Sequence, residues 1–444
     1  MCAAKHGKSR RGRHIAREGK SQLRAGYRGF CPLEAGPSIV GGGGQVARRT
    51  WASLKPEEFF EFVNQRRPLI ISTEGEPHGA LGALFGLKGE AAKWALPGSE
   101  GAEAMQRSAA ARCEVVVERR RSSSSFFGQS DDRSREKTRL GQFCKELEAG
   151  SELGYLTTQA LEDDDGTPRA LAAPHVLKLL EGCATLRPKL LGNLVPVQYN
   201  MWFGRSTTGS SSGLHHDFHD NIYVLLRGRK EFRLFSPRCL DILSPVGVQK
   251  AKLHDNGLIS YVPGLRSDGA SASALRRTAS AGTSEDEEAE LEELLNDALE
   301  DEEPGADTLP DSFCRGSTVP GSPEPIPESL RGRHLVADLG VGDLLYLPAS
   351  WFHEVVSQGG GPGGHLALNL WMAPPRADAT MLEPYEDGLW EELFQRLKPS
   401  LPREAPGRPG TGKRRKTRNH LVKVPFSHRR RLLRALHRSR AEAG

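Results

Sequence analysis

Leu214-His215-His216-Asp217-Phe218-His219-Asp220-Asn221 leads without a break into the apolar run Ile222-Tyr223-Val224-Leu225-Leu226. In an extended chain, side chains two apart share a face, so His215 and Asp217 can reach one point while His216 faces away. His219 falls on the same nominal face. The apolar run ends at Arg227-Gly228-Arg229, a tight glycine-centred turn, and a second strand-like run follows at 231–235. Outward from this centre, similar β-prone runs occupy 195–203, 335–339, 344–347, 353–356 and 365–372. Many short strands punctuated by turn signals predict a mainly β sandwich or barrel.

Before these strands, residues 49–189 read as an α+β prelude. Pro56 opens a helix over 56–65 that carries Phe59, Phe62 and Val63 at helical spacing, and a strand follows over 68–72. Further strands are predicted at 113–117 and 155–158, a loop at 122–135 and a helix at 140–147. After the strands, Leu389, Trp390, Leu393, Phe394 and Leu397 mark an amphipathic helix over 386–398, which either covers the β domain or forms a dimer contact. Order is expected to begin near Trp51.

The net charge of +5 conceals segregation. Residues 1–28 hold nine Lys or Arg against the single acid Glu18, and residues 411–440 hold twelve basic residues and no acid. The ends, 1–48 and 401–444, are therefore read as basic disordered tails. Residues 285–303 place twelve carboxylates in nineteen positions, within a stretch of Ser, Gly, Pro and acids that interrupts the strand series. Such composition predicts a disordered insertion over about 264–331, in which Leu291, Leu294, Leu295 and Leu299 could form a short helix. Seven scattered cysteines without a C-x-x-C pair argue against a disulfide framework and a zinc finger. Nothing resembles a membrane span or a secretory leader, so a non-membrane, intracellular protein is expected.

His215 and Asp217 supply two donors of a metal site, and a third must come from a distant histidine. His353 is the best candidate, because it opens a β-prone run after the Pro348-containing turn of the segment 342–353. Two imidazoles and one carboxylate on one face of iron(II) leave open positions suited to oxygen chemistry. Histidine clusters also arise without any metal, His219 could compete as a ligand, and His254, His334 and His365 read as ordinary surface or core histidines. Spacing alone leaves these alternatives open.

The two segments 212–235 and 342–371 resemble the two halves of a JmjC domain of the cupin-like group. The resemblance rests on H-x-D, on Lys230 fifteen residues after His215, on Gly342-Asp343-Leu344-Leu345-Tyr346-Leu347-Pro348-Ala349-Ser350-Trp351-Phe352-His353, and on Asn369-Leu370-Trp371. It covers roughly residues 190–374, and Tyr155-Leu156-Thr157-Thr158-Gln159 resembles the family too. The implied fold is a double-stranded β-helix, or jelly roll, interrupted by the acidic insertion and followed by the helix within 375–400.

The resemblance implies Fe(II) held by His215, Asp217 and His353, with 2-oxoglutarate as cosubstrate. Lys230 matches the cation for the distal carboxylate, Ser212 and Tyr155 match hydroxyls that bind the same group, and Asn221 and Asn369 match polar positions near the cosubstrate. Trp351, Phe352 and Trp371 are read as barrel packing, and Asp343 as a turn residue. His216, where the family often has an aromatic, and the long insertion depart from the usual pattern. The implied activity is hydroxylation of a protein side chain. Hydroxylation of an N-methyl group would instead end as histone lysine demethylation, and a catalytically idle scaffold is a third reading. No histone-reading module accompanies the domain. Lys413-Arg414-Arg415-Lys416 resembles a nuclear import signal, so a nuclear location with nucleic-acid or nucleolar contacts through the tails is expected, and mitochondrial or cytoplasmic location is the alternative.

Overall fold

The uniformly apolar runs of the sequence become strands covered on both faces. The computed structural model describes residues 44–120, 134–159, 161, 170–246, 251–260, 312–322 and 324–399. Its strands are β1 (Gly44–Gln45), β2 (Ala47–Thr50), β3 (Leu69–Ser72), β4 (Glu114–Arg119), β5 (Ser134–Arg139), β6 (Gly154–Leu156), β7 (Pro196–Gly204) and β8 (Ser206–Ser211). They continue as β9 (Asp220–Arg227), β10 (Arg229–Phe235), β11 (Lys252–Leu253), β12 (Ile259–Ser260), β13 (Leu335–Leu339), β14 (Asp343–Leu347), β15 (Phe352–Gly359) and β16 (His365–Met372). One sheet has the order β1-β13-β10-β15-β8 and the other β2-β3-β14-β9-β16-β7-β6-β4-β5, while β11 and β12 form a separate hairpin.

The two large sheets form a jelly roll rather than a closed barrel. The chain passes from one to the other at Gly228, whose φ of +78° suits glycine and where any Cβ would collide with the Gln358 carbonyl and with His365. Between the sheets lie Tyr223, Leu225, Phe232, Leu234, Leu345 and Trp351. The alternate residues of the same strands, Ile222, Val224, Leu226, Leu344 and Tyr346, face a second apolar layer. That layer is built largely by helices α1 (Pro56–Asn64), α2 (Gly79–Phe85), α3 (Gly98–Arg107), α4 (Leu140–Glu148) and α5 (Pro174–Leu179). In α1, Pro56 occupies a position that needs no N–H partner and Glu57 and Glu58 face the positive end of the helix, while Phe59 meets Tyr346 edge-on at 5.4 Å. A third cluster joins Leu214, Phe235 and Phe352 to the short α6 (Leu240–Leu243) and to Cys314, Ile326 and Leu330. Helix α7 (Leu389–Leu397) buries Phe394 in the outer layer and is tied there by Glu391 to Arg187 at 2.6 Å, which is core packing. No described helix is long and apolar enough to cross a membrane.

Order begins earlier than the sequence predicts. β1 pairs in parallel with β13, β2 pairs in parallel with β3, and Val46 between them is buried. The signal was hidden because Ala47-Arg48-Arg49-Thr50 has no apolar alternation, and the strand is anchored instead by Arg48 to Asp343 at 2.7 Å. Asp343 also accepts the Gly340 N–H, as a turn residue should. Strands β5 and β8, made of SREKTR and STTGSS, went unread for the same reason, and the glycine-rich α2 and α3 lack the propensity of an isolated helix.

The expected disordered insertion needs a correction at its C-terminal end. Residues 312–322 and 324–331 are placed in the fold: the Cys314 N–H donates to the Leu214 carbonyl, and Ile326 and Leu330 are buried. Tertiary contacts place this segment, and no periodicity marks it in the sequence. The acidic block, its leucines, residues 1–43 of the N-terminal tail and the C-terminal tail lie outside the described residues.

Candidate metal centre

His215 lies between two chain segments, bridged in antiparallel fashion to His353 on one side and to Phe313 on the other. His353 is in β15, and the Ser350 N–H donates to the Asp217 carbonyl at 2.7 Å, which joins the turn before His353 to the H-x-D segment. The ligand atoms of His215, Asp217 and His353 lie within 4.8 Å of one another. Among the described residues no other group of three such side chains converges.

Both imidazoles are oriented in one manner. Nδ1 of His215 meets the Gly213 carbonyl at 2.9 Å, and Nδ1 of His353 meets the Trp351 carbonyl at 2.9 Å. A carbonyl only accepts, so each Nδ1 carries the hydrogen and each Nε2 keeps its lone pair free. Nε2 of His353 is 3.8 Å from Asp217 Oδ2. Burial pushes the His353 imidazole down to about 4, with His215 beside it acting in the same direction, so it is neutral at neutral pH. Two imidazole nitrogens and a carboxylate oxygen form a donor set that fits Fe(II).

A cavity of about 260 Å³ opens over this cluster. Tyr155, Ser212, Asn221, Trp202, Phe232 and Trp371 are among its lining residues. Lys230 is fully buried behind Tyr155 and Ser357, donating to the Tyr155 hydroxyl at 3.2 Å and, by a short bond, to Ser357 Oγ. No described carboxylate lies within ion-pair distance of it, and burial lowers its pKa to about 7. A buried ammonium with only neutral partners could hold an anion. Asn369 is also fully buried, opposite Asn200 and Tyr223 in register, with both amide atoms unpartnered by protein.

The structure thus brings the three predicted ligands together and places Lys230 and Tyr155 side by side. Ser212 lines the cavity, its hydroxyl donating to the Gly213 carbonyl and accepting the Val355 N–H, while Ser357 is the hydroxyl on Lys230. Ser357 was readable by strand alternation, since His353, Val355 and Ser357 all face the cavity. His219 is outside the ligand group and stacks on Trp371 at 5.3 Å, so Trp371 is a cavity wall as well as packing. His216 is buried against Phe218 and Phe352, facing away as expected. His254 bonds Ser260, His334 packs on Phe235, and His365 lies behind the cavity against Tyr155.

A two-sheet jelly roll carrying a His-Asp-His cluster at the mouth of its inner cavity defines a class, and the chain belongs to the cupin-like, JmjC-domain family. The cupin-like domain matches residues 56–378. The chain is also 32% identical to JmjC domain-containing protein 4 of Schizosaccharomyces pombe over 359 residues, covering 60% of this chain and 74% of that protein. Members of this family are in general 2-oxoglutarate-dependent oxygenases that use Fe(II).

Proposed function

We propose that this protein is an Fe(II)- and 2-oxoglutarate-dependent dioxygenase that hydroxylates a protein side chain, with His215, Asp217 and His353 as the metal ligands. The observation that carries the reading is the juxtaposition of two sites: a His-Asp-His donor set lining the cavity, and, behind the cavity residues Tyr155 and Ser357, a buried lysine with no described carboxylate within ion-pair distance. Bound iron and 2-oxoglutarate would supply the activation of dioxygen, coupled to decarboxylation of the cosubstrate to succinate, that places one oxygen atom in a C–H bond. The chain does the rest. Lys230 neutralises the far carboxylate of the cosubstrate, and Tyr155 and Ser357 aim the ammonium. Asn221 in the cavity wall offers its amide to the same ligand, Asn369, opposite the cavity residue Tyr223 in register, is a second amide with no protein partner, and Tyr223, Phe232 and Val355 add apolar wall beside which charges interact strongly.

Demethylation, which the same site would produce on an N-methyl group, is the competing reading. The basic tails support a nuclear location with phosphate contacts to nucleic acid. The test is capture of substrate from cell extract with Asp217→Ala, followed by mass spectrometry of the captured proteins before and after active enzyme. A gain of one oxygen supports the reading, and loss of methyl groups replaces it with demethylation.

A further inference from the structure

Residues 312–319, at the C-terminal end of the insertion, run alongside the metal cluster rather than away from it. The His216 N–H donates to the Ser312 carbonyl at 3.1 Å, and the Cys314 N–H to the Leu214 carbonyl at 2.8 Å. Between these two bonds the Phe313 ring lies flat on the His215 imidazole, with centroids 4.7 Å apart and planes 11° apart. The ring borders the cavity as well.

Glu354, adjacent to His353 and fully buried, fastens this segment. Its carboxylate accepts hydrogen bonds from Ser211 Oγ, from Ser317 Oγ at 2.7 Å, from the Thr318 N–H at 2.6 Å and from Thr318 Oγ1. The two serine hydroxyls cannot turn elsewhere without loss, because Ser211 Oγ already accepts the Gly213 N–H and Ser317 Oγ the Val319 N–H. Three pieces of chain therefore meet on one carboxylate: the lead-in to His215, the strand of His353, and the segment that carries Phe313. Arg233, opposite Glu354 in register, adds a bond from its guanidinium to the Thr318 carbonyl at 2.7 Å.

We propose that residues 312–319 are a strap that sets the metal centre, with Phe313 and Glu354 as positioning residues. The backbone carbonyl at Gly213 fixes which nitrogen of His215 carries hydrogen, but one hydrogen bond leaves the ring free to rock about it. The flat contact with Phe313 removes that freedom, and Glu354 holds Phe313 in place through Ser317 and Thr318. A centre held this way binds metal more tightly and in one geometry. The insertion is in this respect part of the active site.

The proposal rests on the metal-centre reading, and cobalt(II) titration of the full chain separates the two. Affinity and the visible ligand-field spectrum are measured for wild type, Phe313→Ala, Phe313→Tyr and Thr318→Val, alongside urea unfolding of the metal-free proteins. Phe313→Ala should weaken cobalt binding about tenfold, the low end of what partners outside the ligand set contribute, and alter the spectrum. Phe313→Tyr keeps the ring and should restore both. Thr318→Val leaves every ligand intact and should weaken binding in the same direction by less. It also decides the matter if Phe313→Ala fails to fold. Wild-type affinity and spectrum in Phe313→Ala and Thr318→Val overturn the strap alone, as does a loss confined to urea stability. A wild type that takes up no cobalt overturns the metal centre and the strap with it.

Discussion

His215 and His353 stand directly opposite each other and exchange both backbone hydrogen bonds, His215 N–H to the His353 carbonyl at 3.0 Å and the reverse at 2.7 Å. Residues paired in this way project their side chains to the same face. Their rings accordingly meet, with centroids 4.3 Å apart. Asp217, two residues on from His215, completes the cluster. The metal site is thus a property of strand register, and one residue of slip would turn His353 away from the cavity.

Asp217→Ala and His353→Ala should each abolish metal binding and 2-oxoglutarate turnover while leaving far-ultraviolet circular dichroism unchanged. Loss of a direct ligand should exceed the roughly 10 to 100-fold that outer partners contribute. Metal content after gel filtration and succinate release measure this, and undiminished succinate in both variants would remove the triad from the account.

Lys230→Met should leave metal binding intact and weaken 2-oxoglutarate. A charge-assisted hydrogen bond contributes about 1.5–3 kcal/mol, or roughly 10 to 150-fold in Kd. The pH dependence has a definite sign. Burial holds the free ammonium at about 7, so the cation is fully present below that pH and cosubstrate affinity should fall as pH rises above it. Binding at pH 8 should take up a proton, visible as a dependence of calorimetric enthalpy on buffer, and Lys230→Met should lose it. The same depression gives the unfolded chain more protons than the folded one between pH 7 and 10.5, so this group's contribution to stability without ligand rises with pH across that window.

The turn before His353 depends on a buried ion pair. Arg66 Nη1 meets Asp220 Oδ1 at 2.6 Å and Arg66 Nη2 donates to the Ala349 carbonyl, while Asp220 also accepts from the Tyr346 hydroxyl and the Ala349 N–H. Arg66→Met leaves a buried carboxylate short of its cation and should destabilise by about 3–5 kcal/mol. Urea unfolding gives the value, and a change below about 1 kcal/mol would show the pair to be dispensable.

Two deletions separate the acidic block from the strap. Replacing residues 265–310 by a flexible Gly-Ser linker should preserve folding and cobalt binding, because their composition is too polar to supply a core. Removing 265–330 also takes Cys314, Ile326 and Leu330 from the third apolar cluster and Ser317 and Thr318 from Glu354, and should lower the melting temperature and metal affinity together. Equal behaviour of the two would contradict the placement of the strap.

The parts of the site legible in the sequence are those set by local pattern. Strands β9, β14 and β16 announce themselves because they are apolar on both faces, and His215 with Asp217 follows from alternation within an extended chain. The pairing of His353 with His215 is not local, and resemblance supplied what spacing left open. Phe313 and Glu354 were not legible by either route. Phe313 sits in an irregular segment beside a long polar stretch, and Glu354 reads as an ordinary charged strand residue whose partners lie far away in the chain. Ser357, the hydroxyl that accepts from Lys230, was not singled out because its distance from His215 in the chain hides a contact that the β10–β15 register makes.

The pairing of the His-Asp-His cluster with Lys230 is tested most directly by anaerobic titration of the Fe(II)-loaded protein with 2-oxoglutarate, followed by visible absorption. A saturable metal-to-ligand charge-transfer band at one equivalent is expected for wild type. It should vanish in Asp217→Ala and require far higher 2-oxoglutarate in Lys230→Met. An iron-loaded wild type that develops no such band, or a Lys230→Met titration that overlays it, would contradict the account.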